Sequence, residues 1–116
     1  MNNVSSPRVD DEGIEPAIAA VSTAPRVTPA DLDAVIVRSE FHRLSETLTV
    51  CVLTLHNGFT VTGESACASP ENYNREIGER IAFTNAREKL WPLLGYALKD
   101  RLFREHAAPV AIGEQS

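Results

Sequence analysis

The pattern of hydrophobic and polar positions begins with a helix. Thr28-Pro29-Ala30-Asp31 offers a capping hydroxyl, a proline at the first helical position and an acid in the first turn. Leu32, Val35 and Ile36 follow at helical spacing, so that one face can be buried. The pattern predicts a short helix that ends near Arg38.

The middle of the chain changes to the period of a strand. Residues 48–55 (LTVCVLTL) place apolar side chains on both faces, so both faces need a cover. Asn57-Gly58 predicts a hairpin turn, and residues 59–64 return as the partner strand. Residues 41–44 predict a third strand. A three-stranded antiparallel meander results, and its second apolar face is covered either by another subunit or by the first helix.

The last third of the chain has helical periodicity. Ser69-Pro70-Glu71 predicts a helix start. Apolar residues then form one stripe, at positions 73, 77, 81, 82, 86 and 90. Pro92 predicts a kink or a restart near Trp91, because proline lacks the backbone donor that a continuous helix needs.

These elements predict an α+β fold in a single domain over residues 28–106. Residues 1–27 are rich in proline and charge and lack aromatic residues, which is typical of a flexible N-terminal arm. The alternative is that Ile18 and Val21 of this arm dock on a neighbouring subunit. Residues 107–116 are predicted to form a flexible C-terminal tail.

Composition narrows the class of protein. The chain has 116 residues and a formal net charge of −5, which argues against binding to a nucleic-acid polymer through a basic stripe. No apolar run is long enough to span a bilayer, and the acidic N-terminus differs from a signal peptide. We therefore expect a cytoplasmic protein, with Cys51 and Cys67 as reduced thiols.

The sequence predicts no metal site, no cofactor and no catalytic residue. Its cysteines and histidines have none of the familiar zinc spacings, and Cys51 lies in an apolar strand. Cys67 lies near a predicted helix start, but no sequence pattern supplies a catalytic partner for it. We expect a protein that is not an enzyme.

Candidate binding residues lie in the helical part of the chain. It holds seven of the eleven basic residues, interleaved with acids, and most of these should form a solvated, salt-bridged surface. Arg101 and Arg104 are one turn apart and can clamp one anion. Tyr73 can stack on a base or, alternatively, pack in the core. Asn85 can contact a base edge, although a solvated asparagine is the simpler interpretation.

Six short segments of the chain, taken together with their order and spacing, form one set of motifs. They are Thr54-Leu55-His56-Asn57-Gly58-Phe59, Gly63-Glu64-Ser65-Ala66-Cys67, Pro70-Glu71-Asn72-Tyr73-Asn74, Ile77-Gly78, Ala86-Arg87 and Trp91-Pro92-Leu93-Leu94-Gly95-Tyr96. This set resembles a small phage and prophage protein family that includes the first-described Thoeris anti-defence proteins. The resemblance covers about residues 28–104.

The resemblance implies a protein that binds and sequesters a cyclic nucleotide immune signal in the host cytoplasm. The implied partner is a cyclic ADP-ribose isomer, with cyclic oligonucleotides as further candidates, held uncleaved in pockets of a homo-oligomer (dimer or hexamer). Tyr73 matches the aromatic residue that stacks on adenine in the family, Arg101 and Arg104 match the phosphate-binding arginines, and Asn85 matches a polar base contact. The alternative function is a non-enzymatic inhibitor or adaptor that grips a host protein through an apolar sheet face.

Overall fold

The computed structural model describes residues 24–107, and residues 1–23 and 108–116 of the predicted arm and tail lie outside this range. The described part has the α+β architecture that the sequence predicts. Its elements, in chain order, are α1 (Pro29–Val35), β1 (Ile36–Arg43), β2 (Leu48–Leu55), β3 (Thr60–Ala66), a 3-10 turn (Pro70–Asn72), α2 (Arg75–Glu88) and α3 (Leu90–His106).

The first helix starts as predicted but ends earlier. The Thr28 hydroxyl accepts a hydrogen bond from the Asp31 amide (3.2 Å), and the Asp31 carboxylate accepts one from the Thr28 amide (2.9 Å). The helix ends at Val35 instead of near Arg38, because Ile36 already has extended backbone angles. The β-branched pair that begins at Ile36 favours a strand, and strand β1 takes over at once.

The sheet is an antiparallel meander in the order β1–β2–β3, with β2 in the centre. β1 is longer than the predicted strand over residues 41–44, and it carries an irregularity between Ile36 and Arg38. The β2–β3 turn is shifted by one residue from the predicted Asn57-Gly58 position, since the Gly58 amide donates to the Leu55 carbonyl (2.9 Å). Gly58 follows this turn at φ 91°, a conformation that favours glycine.

One face of the sheet carries the core. Thr49, Cys51, Leu53 and Leu55 of β2 are all buried on this face. The buried cluster is completed by residues of all three helices, namely Leu32, Ala82, Ala86 and Leu90. Since Leu32 joins this cluster, α1 lies on the same side of the sheet as the other helices.

The opposite face of β2 is only half-buried. It carries Leu48, Val50, Val52 and Thr54, which alternate with the core residues as predicted. The sequence left open that the first helix covers this second apolar face. Within residues 24–107 that alternative is wrong, because α1 packs on the core face. We call this surface the open sheet face.

The helical part differs from the predicted pattern at its beginning. Ser69-Pro70 opens a single 3-10 turn, and α2 starts at Arg75 with Asn74 as its cap. The predicted single apolar stripe is divided, because Ala82 is fully buried whereas Ile77 remains half-exposed.

The predicted restart near Trp91 is confirmed, because α3 begins at Leu90 directly after the junction residue Lys89. Pro92 lies in the first turn of α3, where its missing donor costs no helical hydrogen bond. None of the helices within residues 24–107 is long and apolar enough to cross a membrane.

Candidate functional site

A tyrosine and an arginine stack at one end of the sheet. The guanidinium of Arg43, the last residue of β1, lies 3.7 Å from the centre of the Tyr73 ring. Arg43 also donates from Nη2 to the Glu46 carbonyl (2.6 Å), which fixes its position. Tyr73 follows the 3-10 turn and precedes the cap of α2, so it lies just before the helix and not in its first turn as predicted.

Polar residues form a row across the core face at this end of the sheet. Thr49 of β2 is paired with Arg43 on one side and with Ser65 on the other. The next row inward is Phe41, Cys51 and Gly63, where the core becomes apolar. The register therefore places hydroxyl groups beside the Tyr73–Arg43 stack.

These hydroxyls line a cavity of about 130 Å³ between the sheet and the start of α2. We call it the polar cavity. Its walls are Thr47, Thr49, Ser65, Ala66, Cys67, Asn72, Tyr73, Asn74, Ile77, Gly78 and Ile81. Among the residues that the structure describes, no acidic or basic side chain belongs to this wall, and its polar groups are neutral hydroxyls, amides and a thiol.

Thr49 forms the floor of the polar cavity. The residue is 2% exposed, and its Oγ1 has no hydrogen-bond partner among the described residues. Gly78 of α2 lies opposite, and a Cβ at Gly78 would lie 3.2 Å from Thr49 Oγ1. The absence of a side chain at Gly78 therefore keeps the space above the hydroxyl open.

The cap and the first two turns of α2 complete the wall. Asn74 caps the helix, since its Oδ1 accepts a hydrogen bond from the Ile77 amide (3.0 Å). Ile77 and Ile81 are 49% and 44% exposed, although they were predicted to lie in the buried stripe. They give the cavity an apolar side next to its polar floor.

The two thiols differ in their surroundings. Burial raises the pKa of Cys51, and the Glu79 carboxylate adds to this effect. Cys51 is therefore a core residue, as the sequence predicts. Cys67 lines the polar cavity and donates to the Ser69 carbonyl (3.4 Å).

The two candidate phosphate-binding arginines lie on α3 and pair with acids of their own helix. Arg101 bonds to Glu105 (2.8 Å), and Arg104 forms an ion pair with Asp100. Both arginine side chains are more than half exposed. Neither residue lines the polar cavity.

Asn85 lies on α2 and faces the edge of the sheet. Its Nδ2 donates to the Glu64 carbonyl (2.8 Å), which ties α2 to β3. Asn85 does not line the polar cavity. Of the four predicted binding residues, only Tyr73 lies in its wall, and one copy of the chain does not bring the four together around it.

A second cavity, of about 320 Å³, lies near the other end of the sheet. It is mainly apolar and is formed by the β2–β3 hairpin, α1 and α3, with Leu55, Phe59, Leu93 and Leu94 among its residues. None of the four predicted binding residues belongs to it. Within residues 24–107 there is no group of three or more His, Cys, Asp or Glu side chains that could hold a metal ion.

Sequence reasoning missed Arg43, Thr49 and Ser65. Each looks like an ordinary strand residue, and only the pairing of the three strands places them in one row. Counting back from the predicted Asn57-Gly58 turn would pair Thr49 with Ala66, and only the observed turn, one residue earlier, pairs it with Ser65, so the sequence offered no correct signal for this row.

Comparison with known proteins identifies a family but no individual relative. The model of the Phage protein (N4 Gp49/phage Sf6 gene 66) family matches residues 27–102, well over half of the chain. Comparison with curated proteins and with solved structures gave no significant match.

Proposed function

The chain belongs to the Phage protein (N4 Gp49/phage Sf6 gene 66) family, and we propose that it binds and sequesters a cyclic nucleotide immune signal without cleaving it. The proposed partner is a cyclic ADP-ribose isomer, with cyclic oligonucleotides as further candidates. The proposed setting is the cytoplasm of the infected host, where sequestration would act against Thoeris defence. The observation that carries the proposal is the Tyr73–Arg43 stack at the polar cavity.

Tyr73 supplies the base contact in this proposal. Arg43 occupies one face of its ring, so the other face is the one on which a nucleobase stacks. The nearby guanidinium also places a positive charge beside an anionic nucleotide. Arg43 thus serves as a local cation on a chain whose net charge is −5.

Arg101 and Arg104 hold the phosphates in this proposal. Their present partners are half-exposed acids one helical turn away, and such surface pairs are worth only about 0–1 kcal/mol. A phosphate that accepts two parallel hydrogen bonds from a guanidinium is a stronger partner. Exchanging Glu105 or Asp100 for a phosphate is therefore inexpensive.

The polar cavity is small, and in this proposal a second copy of the chain completes it. Its volume of about 130 Å³ is below the roughly 300–1,000 Å³ of typical ligand pockets. We propose that α3 of a neighbouring copy closes the cavity and brings Arg101 and Arg104 toward it, in a dimer or a hexamer. The half-buried residues of the open sheet face, Val50 and Val52 among them, supply apolar area for such assembly in this proposal.

Sequestration requires high affinity for the nucleotide and slow dissociation of it. It does not require selective binding of a transition state. Stacking, charge-assisted hydrogen bonds and exclusion of water meet that need without a nucleophile or a general base. We accordingly propose that the protein is not an enzyme and returns its ligand unchanged.

A retention assay tests the proposal. Purified protein is incubated with a panel of cyclic ADP-ribose isomers, free nucleotide is removed, and the protein is heat-denatured. Mass spectrometry of the supernatant should recover intact nucleotide in proportion to the protein. A hydrolysis product would instead indicate an enzyme, and an empty supernatant at micromolar protein would refute nucleotide capture.

Substitutions test the residues. Tyr73→Ala should weaken binding by about 5- to 150-fold, since stacking on a base is worth roughly 1–3 kcal/mol, whereas Tyr73→Phe retains the ring. The double variant of Arg101→Ala and Arg104→Ala should weaken binding as well. Lys89→Ala is the matched control, because it removes an exposed positive charge at the α2–α3 junction. An equal loss in the double arginine variant and in Lys89→Ala would indicate a non-specific charge effect and contradict a phosphate contact by Arg101 and Arg104.

The open sheet face also favours a second candidate function, a non-enzymatic inhibitor or adaptor that grips a host protein. This face presents apolar side chains between the Arg38–Glu40 ion pair (3.0 Å) and the polar residues of β3. Size-exclusion chromatography with light scattering separates the two candidates. A stable monomer that retains no nucleotide favours the adaptor, and an oligomer that retains nucleotide favours sequestration.

A further inference from the structure

The buried hydroxyl of Thr49 is unusual for a residue of the core face. A buried hydroxyl without a partner costs free energy, and a valine of nearly the same shape would avoid that cost. The neighbouring inward residues of β2, Cys51, Leu53 and Leu55, have no such polar group to satisfy. Packing alone therefore does not account for a threonine at this position.

The hydroxyl opens onto the polar cavity. A Cβ at Gly78 would lie 3.2 Å from Thr49 Oγ1 and 4.0 Å from Ser65 Oγ, so the glycine leaves the space near both hydroxyls free. Thr49 and Ser65 are paired residues of adjacent strands, and both line the same cavity. Two groups that can each donate and accept a hydrogen bond thus share one small space.

The residues that line the polar cavity favour the nucleobase of a nucleotide over its phosphates. Within residues 24–107 the wall contains no charged side chain, which disfavours a phosphate as the occupant. A volume of about 130 Å³ equals roughly four water molecules at about 30 Å³ each, which suits one ring system and not a whole nucleotide. Tyr73 and Ile77 offer flat and apolar contacts beside the hydroxyls, as a nucleobase requires.

We propose that Thr49 is a specificity-determining residue, whose hydroxyl forms a hydrogen bond with the polar edge of the nucleobase in the polar cavity. This inference rests on the proposed function, and it assigns the base to the cavity and the phosphates to the outside. Ser65 is the second hydroxyl available to the same edge. In this proposal the Thr49 hydroxyl serves binding, and it makes the free protein less stable than a valine at the same position would.

The test compares Thr49→Val with Thr49→Ser, using the full chain and the same panel of cyclic ADP-ribose isomers. Thr49→Val removes the hydroxyl and keeps the shape, so affinity should fall at least tenfold while the melting temperature of the free protein stays equal or rises. Thr49→Ser restores the hydroxyl and should bind within about threefold of the wild type. Thr84→Val is the matched control, because Thr84 is exposed on α2 and lines neither cavity.

The outcomes separate the two proposals. If the wild type retains none of the isomers, nucleotide capture itself is refuted, and the role of Thr49 falls with it. If the wild type and Thr49→Val bind equally well, the role of Thr49 is overturned and capture stands. If Thr49→Val lowers the melting temperature of the free protein as well as the affinity, the hydroxyl has a structural role and the assignment is wrong.

Discussion

Replacing Gly63 with alanine should separate β3 from α2. Gly63 is buried on the core face, where α2 crosses the strand. A Cβ built on it would lie 2.8 Å from the Cα of Ala86, and still closer to the Ala86 nitrogen and the Ala82 carbonyl oxygen. All three are backbone atoms, so no side chain can rotate away, and the helix as a whole has to move.

The expected loss follows from two opposing terms. Overpacking a core costs about 1–3 kcal/mol, and the rigid backbone on the helix side places Gly63→Ala at the upper end. An alanine also restricts the unfolded chain, which returns about 0.4–1 kcal/mol. The net loss is about 2–2.6 kcal/mol in the free energy of unfolding, which lowers the melting temperature by about 8–21 °C for a domain of this size.

Urea and thermal unfolding followed by circular dichroism measure this loss. Gly95→Ala is the matched control, because a Cβ there meets nothing within 4 Å and the residue lies inside α3. That variant should gain about 0.4–1 kcal/mol, from the same restriction of the unfolded chain. The close contact between α2 and β3 would be disproved if Gly63→Ala were as stable as the wild type, or if it gained stability as Gly95→Ala is expected to.

Two further predictions concern the packing of α2 and the buried thiol. Arg87 of α2 bonds to Asp33 (2.8 Å) and to the Pro29 carbonyl (3.2 Å), and its side chain is 15% exposed. Arg87→Met should therefore cost about 1.5–3 kcal/mol in urea unfolding, whereas Asp33→Asn at the exposed end should cost less than about 1 kcal/mol; equal losses would contradict this. Because burial raises the pKa of Cys51, the native thiol keeps its proton at a pH where the unfolded thiol has lost it. The free energy of unfolding should decline as the pH rises past about 8.5, the usual thiol value, and Cys51→Ala should show a shallower decline.

Local signals in the sequence predicted most of the fold. The capping box at Thr28, the alternation over residues 48–55 and the break at Pro92 each act within a few residues, so each could be recognised without knowing the tertiary structure. Errors arose where two local signals compete. Ile36 satisfies the helical spacing, yet its β-branched side chain favours the strand, and pairing with Leu55 decides the outcome.

The second helix start shows the same limit. Ser69-Pro70 has the composition of a helix cap, but the Ser69 hydroxyl bonds to Glu71 and caps no amide. The effective cap is Asn74, five residues later, where the side chain reaches the Ile77 amide. Both asparagine and serine are good caps, so their local preferences do not tell which of them begins the long helix.

The candidate site was less accessible to sequence reasoning than the fold. Tyr73 was selected because an aromatic residue at a predicted helix start, matching the aromatic position of the family, is a local pattern. Arg43 and Thr49 became neighbours only through strand pairing, and the expected group of Tyr73 with Arg101 and Arg104 does not form within one copy of the chain. A site that depends on register or on a second subunit leaves little trace in a single sequence.

The fold and the candidate site depend on the same placement of α2. Gly63 on the sheet lets the helix approach closely at Ala82 and Ala86, which fixes its distance from β3. One turn before Ala82, Gly78 faces Thr49, and there the missing side chain leaves the polar cavity. A tight contact and a gap thus lie one helical turn apart on one rigid element. Because the contact at Gly63 sets the distance between α2 and the sheet, it also sets the width of the polar cavity. A change that loosens the α2–β3 packing should therefore also change the space that a nucleobase would occupy.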